Sequence, residues 1–119
     1  MTKELNGESR PWGRYDNLYE DETCKVKKII VKAGQNPSYQ MHFKRSEIWV
    51  VVSGTGQVRL NDDYKDVKAG TVIEVPLQSK HTIINTSDED LVFIEVQLGS
   101  YFGEDDIVRL EDKYGRQDP

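Results

Sequence analysis

From Cys24 onward the chain is a succession of short apolar and polar alternations closed by turn residues, and a period of two is the mark of a half-buried strand. Strands are predicted at Cys24 to Lys32, Ser38 to His42, Glu47 to Ser53, Gln57 to Leu60, Thr71 to Val75, His81 to Thr86 and Leu91 to Leu98. That rhythm predicts an all-β barrel or sandwich. In the Glu47 to Ser53 run, Trp49 and Val51 share one face while Ile48, Val50 and Val52 share the other, so both faces are expected to be buried. A second sheet or a second subunit must then cover the outer one, and a homodimer is expected. Ahead of Cys24, Arg10-Pro11-Trp12-Gly13 introduces an aromatic segment (Trp12, Tyr15, Tyr19) without helical period, which reads as an irregular arm over the barrel. A weak helix pattern falls at Glu104 to Leu110.

Composition narrows the function classes. At 119 residues the chain reads as one domain, with an N-terminal arm over 1–23, a barrel over 24–98 and a C-terminal tail over 99–119. A net charge of -5 argues against nucleic acid, whose phosphates call for a basic face. Lys25-x-Lys27-Lys28 is expected to be the solvated side of a strand. The single cysteine, Cys24, leaves no internal disulfide and suits a reducing cytoplasm, the start Met1 to Glu8 lacks the apolar core of a signal peptide, and no run reaches membrane-span length.

Chemistry enters through spacing. The chain carries Gly34-x5-Gln40-x-His42-x4-Glu47-x6-Gly54 and then Gly70-x5-Pro76-x-Gln78-x2-His81-x3-Asn85. Gln40 and His42 share one face of a strand, Phe43 to Ser46 can turn the chain so that Glu47 opens the next antiparallel strand beside them, and a second hairpin would bring His81 to the same place. Both histidines of the chain fall on this pattern. A lone strand histidine is usually a packing or surface residue, whereas this constellation predicts a metal held by Gln40, His42, Glu47 and His81.

The paired spacing is the two-part signature of the cupin barrel, a double-stranded β-helix or jelly roll. More specifically, the chain resembles the cupin domain of type II phosphomannose isomerases, usually met as the C-terminal part of bifunctional enzymes that also make GDP-mannose. The likeness rests on Arg10-Pro11-Trp12-Gly13-x-Tyr15, on Gln40-Met41-His42 with Arg45-Ser46-Glu47-x-Trp49-Val50-Val51-Val52-Ser53-Gly54, and on Ile94-Glu95-Val96-Gln97. It extends to the tail, Gly99-x-Tyr101-x-x-Glu104-Asp105-Asp106-Ile107-Val108-Arg109 followed by Asp112-x-Tyr114-Gly115-Arg116. The resemblance implies a Gln, His, Glu, His ligand set, usually for zinc, and interconversion of mannose 6-phosphate and fructose 6-phosphate. Ile48 stands where that family usually has histidine, and Phe43-Lys44 where it often has a histidine-rich run. No glycine-rich nucleotide loop precedes Arg10, so GDP-mannose synthesis is not expected of this chain alone.

For such an isomerase a divalent cation would stabilise negative charge on the C1 or C2 oxygen; zinc suits the donors, and Mn, Co, Ni or Fe would fit nearly as well. The sugar phosphate needs cationic donors, for which Arg10, Arg45, Lys80 and Arg109 are candidates, Arg45 and Arg109 being the expected catalytic pair. Glu95 is the expected general base, its other reading being a buried acid paired with an arginine. Trp12, Gln97 and Tyr101 complete the expected substrate contacts. Two other classes stay open: a non-haem iron oxygenase, whose facial set is two histidines and a carboxylate, and a non-catalytic sugar-binding cupin or one acting on another sugar phosphate or sugar nucleotide.

Overall fold

The computed structural model describes residues 6–115 and contains eleven antiparallel strands and no helix among them. In chain order these are β1 (Asn6–Arg10), β2 (Gly13–Glu20), β3 (Cys24–Val31), β4 (Tyr39–Met41), β5 (Arg45–Ser53), β6 (Thr55–Leu60), β7 (Asp63–Lys68), β8 (Val72–Val75), β9 (His81–Ile84), β10 (Leu91–Gly99) and β11 (Val108–Glu111). They form a six-stranded sheet, β1-β2-β3-β10-β5-β8, facing a five-stranded sheet, β11-β4-β9-β6-β7. The all-β barrel expected from the alternation is the fold.

The large sheet shows how sequence period becomes architecture. On β3, β5 and β10 alternate residues are buried, and the inward set changes character along the strands. Val31, Leu91, Val51, Phe93, Ile29 and Trp49 make an apolar floor with Val58, Val67, Val75 and Ile83 of the other strands. Toward the opposite end the inward residues become Lys27, Lys25, Glu95, Gln97, Glu47 and Arg45, all buried. One end of the barrel is therefore packed and the other lined with charge. The outward faces differ from expectation: Val50 and Val52 are exposed, so nothing in the described chain covers the outer side of β5.

Several connections cross between the sheets. The segment after β4 leads from the small sheet to β5 in the large one, so His42 and Glu47 face each other across the barrel instead of along the hairpin that the spacing predicts. Gly54 makes the return crossing from β5 to β6 at a φ of 90°, where a Cβ would lie 2.5 Å from the Asp90 carbonyl oxygen, so only glycine fits.

The arm is not irregular. Residues 6–20 form an antiparallel hairpin, β1 on β2, and β2 continues the large sheet along β3. A register shift between Asn17 and Tyr19 breaks the alternation there, which is why a period of two was invisible in the sequence. Nor is Glu104 to Leu110 helical: a turn near Glu104 leads into β11, which pairs with β4. Lys25 and Lys27, expected on a solvated face, point inward. Met1 to Leu5 and Arg116 lie outside the described residues.

Candidate metal centre

Four polar side chains meet at the charged end of the barrel, drawn from both sheets. Glu47 comes from the inward face of β5, His81 opens β9, His42 follows β4, and Arg45 begins β5. Burial of each is nearly complete, Glu47 being 2% exposed. The two histidine ring centroids stand 5.0 Å apart. Glu47 Oε2 lies 3.4 Å from His42 Nε2 and Glu47 Oε1 lies 4.0 Å from His81 Nε2.

The donor set fits a metal ion. His42 Nδ1 donates to the Asp106 carbonyl oxygen at 2.6 Å and His81 Nδ1 to the Ser79 carbonyl oxygen at 3.0 Å. A carbonyl can only accept, so each ring carries its hydrogen on Nδ1 and turns the Nε2 lone pair into the site, the arrangement that metal-binding histidines use. One ligand atom from each of His42, Glu47 and His81 lies within 4.8 Å of the others. Tetrahedral bonds of about 2.0 to 2.1 Å put donors roughly 3.3 Å apart, so the three need only a small inward closure. Gln40, the expected fourth ligand, pairs in register with His81 and lines the same cavity, while its amide nitrogen donates to the Ser38 carbonyl oxygen at 3.3 Å.

Electrostatics agree with this geometry. Burial holds both histidines in the neutral form a metal requires, depressing His42 to about 4 and His81 in the same direction. Burial opposes ionisation of Glu47 as well, but the His81 ring once protonated in acid, the Arg45 guanidinium and the protonated His42 ring hold its carboxyl well below the ordinary range. Arg45 Nε donates to Glu47 Oε2 at 2.8 Å, and Trp49 Nε1 donates to Glu47 Oε1 at 2.8 Å. Glu95, hydrogen-bonded to both Gln97 and Glu47, is displaced the other way, because burial and the Glu47 charge both disfavour its ionised form.

Around this centre lies a cavity of about 120 Å³ lined by Arg10, Lys27, Arg45 and Arg109 as well as by Glu95 and Glu104. The structure thus brings Arg10, Trp12, Arg45, Glu95 and Arg109 to the cavity wall with the four expected ligands. It places the remaining candidates elsewhere. Lys80 pairs with Asp62 at 3.3 Å, Tyr101 is exposed and donates to Asp105, and Gln97 lies wholly buried behind Glu95, to which its amide donates. Sequence reasoning missed Lys27, Glu104 and Asp106. The Asp106 carboxylate accepts from the Phe43 and Lys44 backbone amides at 3.0 and 2.9 Å, fixing the turn that carries His42. Asp106 and Glu104 do stand in the matched tail motif, which was a signal for the segment though not for their roles.

Barrel topology and a buried two-histidine, one-carboxylate centre define a cupin with a metal-binding donor set. The chain belongs to the family described as mannose-6-phosphate isomerase C-terminal, which matches residues 2–112. Among curated proteins it is 47% identical over 107 residues to the mannose-1-phosphate guanylyltransferase ManC of Salmonella typhimurium, covering 90% of this chain and 22% of that protein. It is 48% identical over 107 residues to the alginate biosynthesis protein AlgA of Pseudomonas aeruginosa, covering 90% of this chain and 22% of that one. Among solved structures, the cupin domain of Schizosaccharomyces pombe Cnp3 superposes with a TM-score of 0.70 at 16% identity, covering 72% of this chain and 64% of that one, a likeness of fold.

These relatives correct one expectation. The chain spans less than a quarter of the curated proteins it matches, and those are named for guanylyl transfer to mannose 1-phosphate and for alginate biosynthesis. The reading as a stand-alone enzyme interconverting mannose 6-phosphate and fructose 6-phosphate is therefore withdrawn. It leaned on the family motifs, which mark membership of the domain family but not the reaction carried out by this copy, and Ile48 already departs from them. The relatives named as guanylyltransferases are enzymes.

Proposed function

We propose that this barrel is a metal-centred cupin that binds a hexose phosphate of the mannose series, with mannose 1-phosphate as its first candidate. One observation carries the reading: a His42, Glu47 and His81 donor set forms part of a cavity ringed by Arg10, Lys27, Arg45 and Arg109. Sugar hydroxyls suit a Lewis-acid cation and carboxylates, whereas the cationic ring suits a phosphoryl group. Mannose 1-phosphate is chosen because the ManC-type relatives are named for it.

Zinc is the metal we assign, held by His42, Glu47 and His81 with Gln40 as the fourth protein group; when bound it would supply a Lewis acid to a ligand oxygen. Residues of the chain do the rest. Arg45 and Glu95 line the same cavity with opposite characters, one a fixed cation and the other a carboxyl held toward its neutral form by burial and the Glu47 charge, with its hydrogen directed at Glu47. A cytoplasmic site of action agrees with the single cysteine, Cys24. Among the described residues no helix is long and apolar enough to cross a membrane.

Calorimetric titration of the zinc-loaded protein with mannose 1-phosphate and with mannose tests the reading. Binding of the phosphate ester but not of the free sugar is expected, with affinity reduced after the metal is stripped. Equal binding of both sugars, or of neither, would overturn it.

A further inference from the structure

We propose that Lys27, which lines one cavity together with Arg45, anchors an anion subsite for a phosphoryl group, and that Glu104 is an internal anion which the incoming phosphate must displace. The phosphoryl assignment rests on the sugar-phosphate reading above; the subsite itself rests on the side chains.

Lys27 is 5% exposed and Lys25 is 7% exposed, on the inward face that continues through Ile29 and Val31. Burying an ammonium is costly unless an anion meets it. Here the anion comes from outside the barrel wall. Glu104, in the strandless segment between β10 and β11, reaches Lys27 Nζ with both carboxylate oxygens, Oε2 at 3.1 Å and Oε1 closer. Lys25 Nζ is 3.9 Å from the same Oε1. The Glu104 side chain remains 43% exposed while lining the cavity, so it meets Lys27 from the solvent side. Tyr15 closes the far side of Lys27, its ring centroid 3.9 Å from Nζ.

A second, independent observation concerns Arg45. Its guanidinium is 6% exposed and lines the same cavity, yet Nη1 is buried without a hydrogen-bond partner. A buried charged donor left open costs on the order of 1–3 kcal/mol, which an acceptor in the cavity would remove. Glu104 satisfies Lys27 but leaves that donor unmet. A phosphoryl group, with three acceptor oxygens and a charge of about -1.5 to -2, can meet both cations where one carboxylate cannot.

The alternative is that the Lys27 to Glu104 pair only fastens the tail to the barrel. Inorganic phosphate separates the two, titrated at constant ionic strength into wild type, Glu104→Gln and Lys27→Met. Displacement predicts that Glu104→Gln binds phosphate about tenfold more tightly, since it removes the closed state that competes with the ligand. Lys27→Met should lose binding by a similar factor, and in the double variant the gain should vanish. Unchanged or weaker phosphate binding in Glu104→Gln, or full binding in Lys27→Met, overturns the proposal. Should either variant fail to fold, the wild type still decides: phosphate must shift the side-chain resonance of Lys27 in lysine-labelled protein, and no shift at saturation overturns the subsite. Because the probe carries no sugar, a positive result with no mannose 1-phosphate binding would sink the sugar reading and keep the subsite. Mannose 1-phosphate binding that is indifferent to both substitutions would do the reverse.

Discussion

Arg45 Nη2 lies 3.1 Å from His42 Nε2, on the lone pair that a metal would take. The same guanidinium binds Glu47, so one cation already bridges two members of the donor set. His42 Nε2 cannot accept that hydrogen and coordinate an ion at once. Metal binding must therefore break this bond and bring a second positive centre beside a buried arginine.

The expected consequence is that Arg45→Met raises zinc affinity by at least about tenfold, since even a water-like dielectric leaves about 1 kcal/mol of repulsion per unit charge at 4 Å. Competition against a fluorescent zinc chelator measures it. Equal or weaker affinity in the variant would show that Arg45 supports the centre and does not oppose it.

Asp106 works from behind His42. Its backbone carbonyl holds Nδ1 of the ring, and its carboxylate holds the amides of Phe43 and Lys44. Asp106→Ala keeps the carbonyl but frees the turn, so the ring loses its fixed direction while remaining in the site. A fall in metal affinity of about 10- to 100-fold is expected, the usual cost of losing an outer partner of a metal-binding histidine. An unchanged affinity in the chelator competition would mean that the carbonyl alone orients the ring.

The metal set and the barrel were legible because both are written locally. Spacing alone named His42, Glu47 and His81, and uninterrupted alternation named β3, β5 and β10. What failed was whatever depends on distant partners. The β1 and β2 hairpin was hidden by its bulge, and β7 by being exposed at every position except Val67, so no period of two survived. Lys25 and Lys27 were misplaced because charge normally marks a solvated face, and only the folded tail supplies the Glu104 that makes their inward placement tolerable. The crossing of the chain between sheets at Phe43 and Lys44 likewise has no local signature, since a polar turn serves a hairpin equally well.

Acid should weaken the metal-free fold through His42. Its folded pKa, about 4, lies below the unfolded value of 6.5 because burial disfavours the charged ring. A depressed folded pKa means stability that is fully present above the unfolded value and lost as pH falls from 6.5 toward 4, with a ceiling of about 3 kcal/mol for a shift of this size. Urea denaturation of the metal-free protein between pH 7.5 and about pH 4 should show that decline, and His42→Gln should flatten part of it. An identical profile in the variant would assign the loss to other groups.

The outer face of the large sheet makes the last prediction. Lys28, Ile94, Val50 and Val72 form one cross-strand row there, and Val26, Val96, Ile48 and Glu74 the next. Val50, Val52 and Val72 are 37%, 47% and 60% exposed, which is much apolar surface to leave in water. Of the charges in these rows, Lys28 stands on β3, an inner strand, and Glu74 on β8, the edge strand. A second copy turned about a two-fold axis parallel to the strands places β8 of each over β3 of the other, bringing unlike charges together around an apolar centre. We propose a second copy of this chain as the partner. Light scattering at micromolar concentration should give the mass of a dimer, and Val50→Lys should give a folded monomer, because that side chain faces out of the core. A monomeric wild type would leave this face without the partner argued for it.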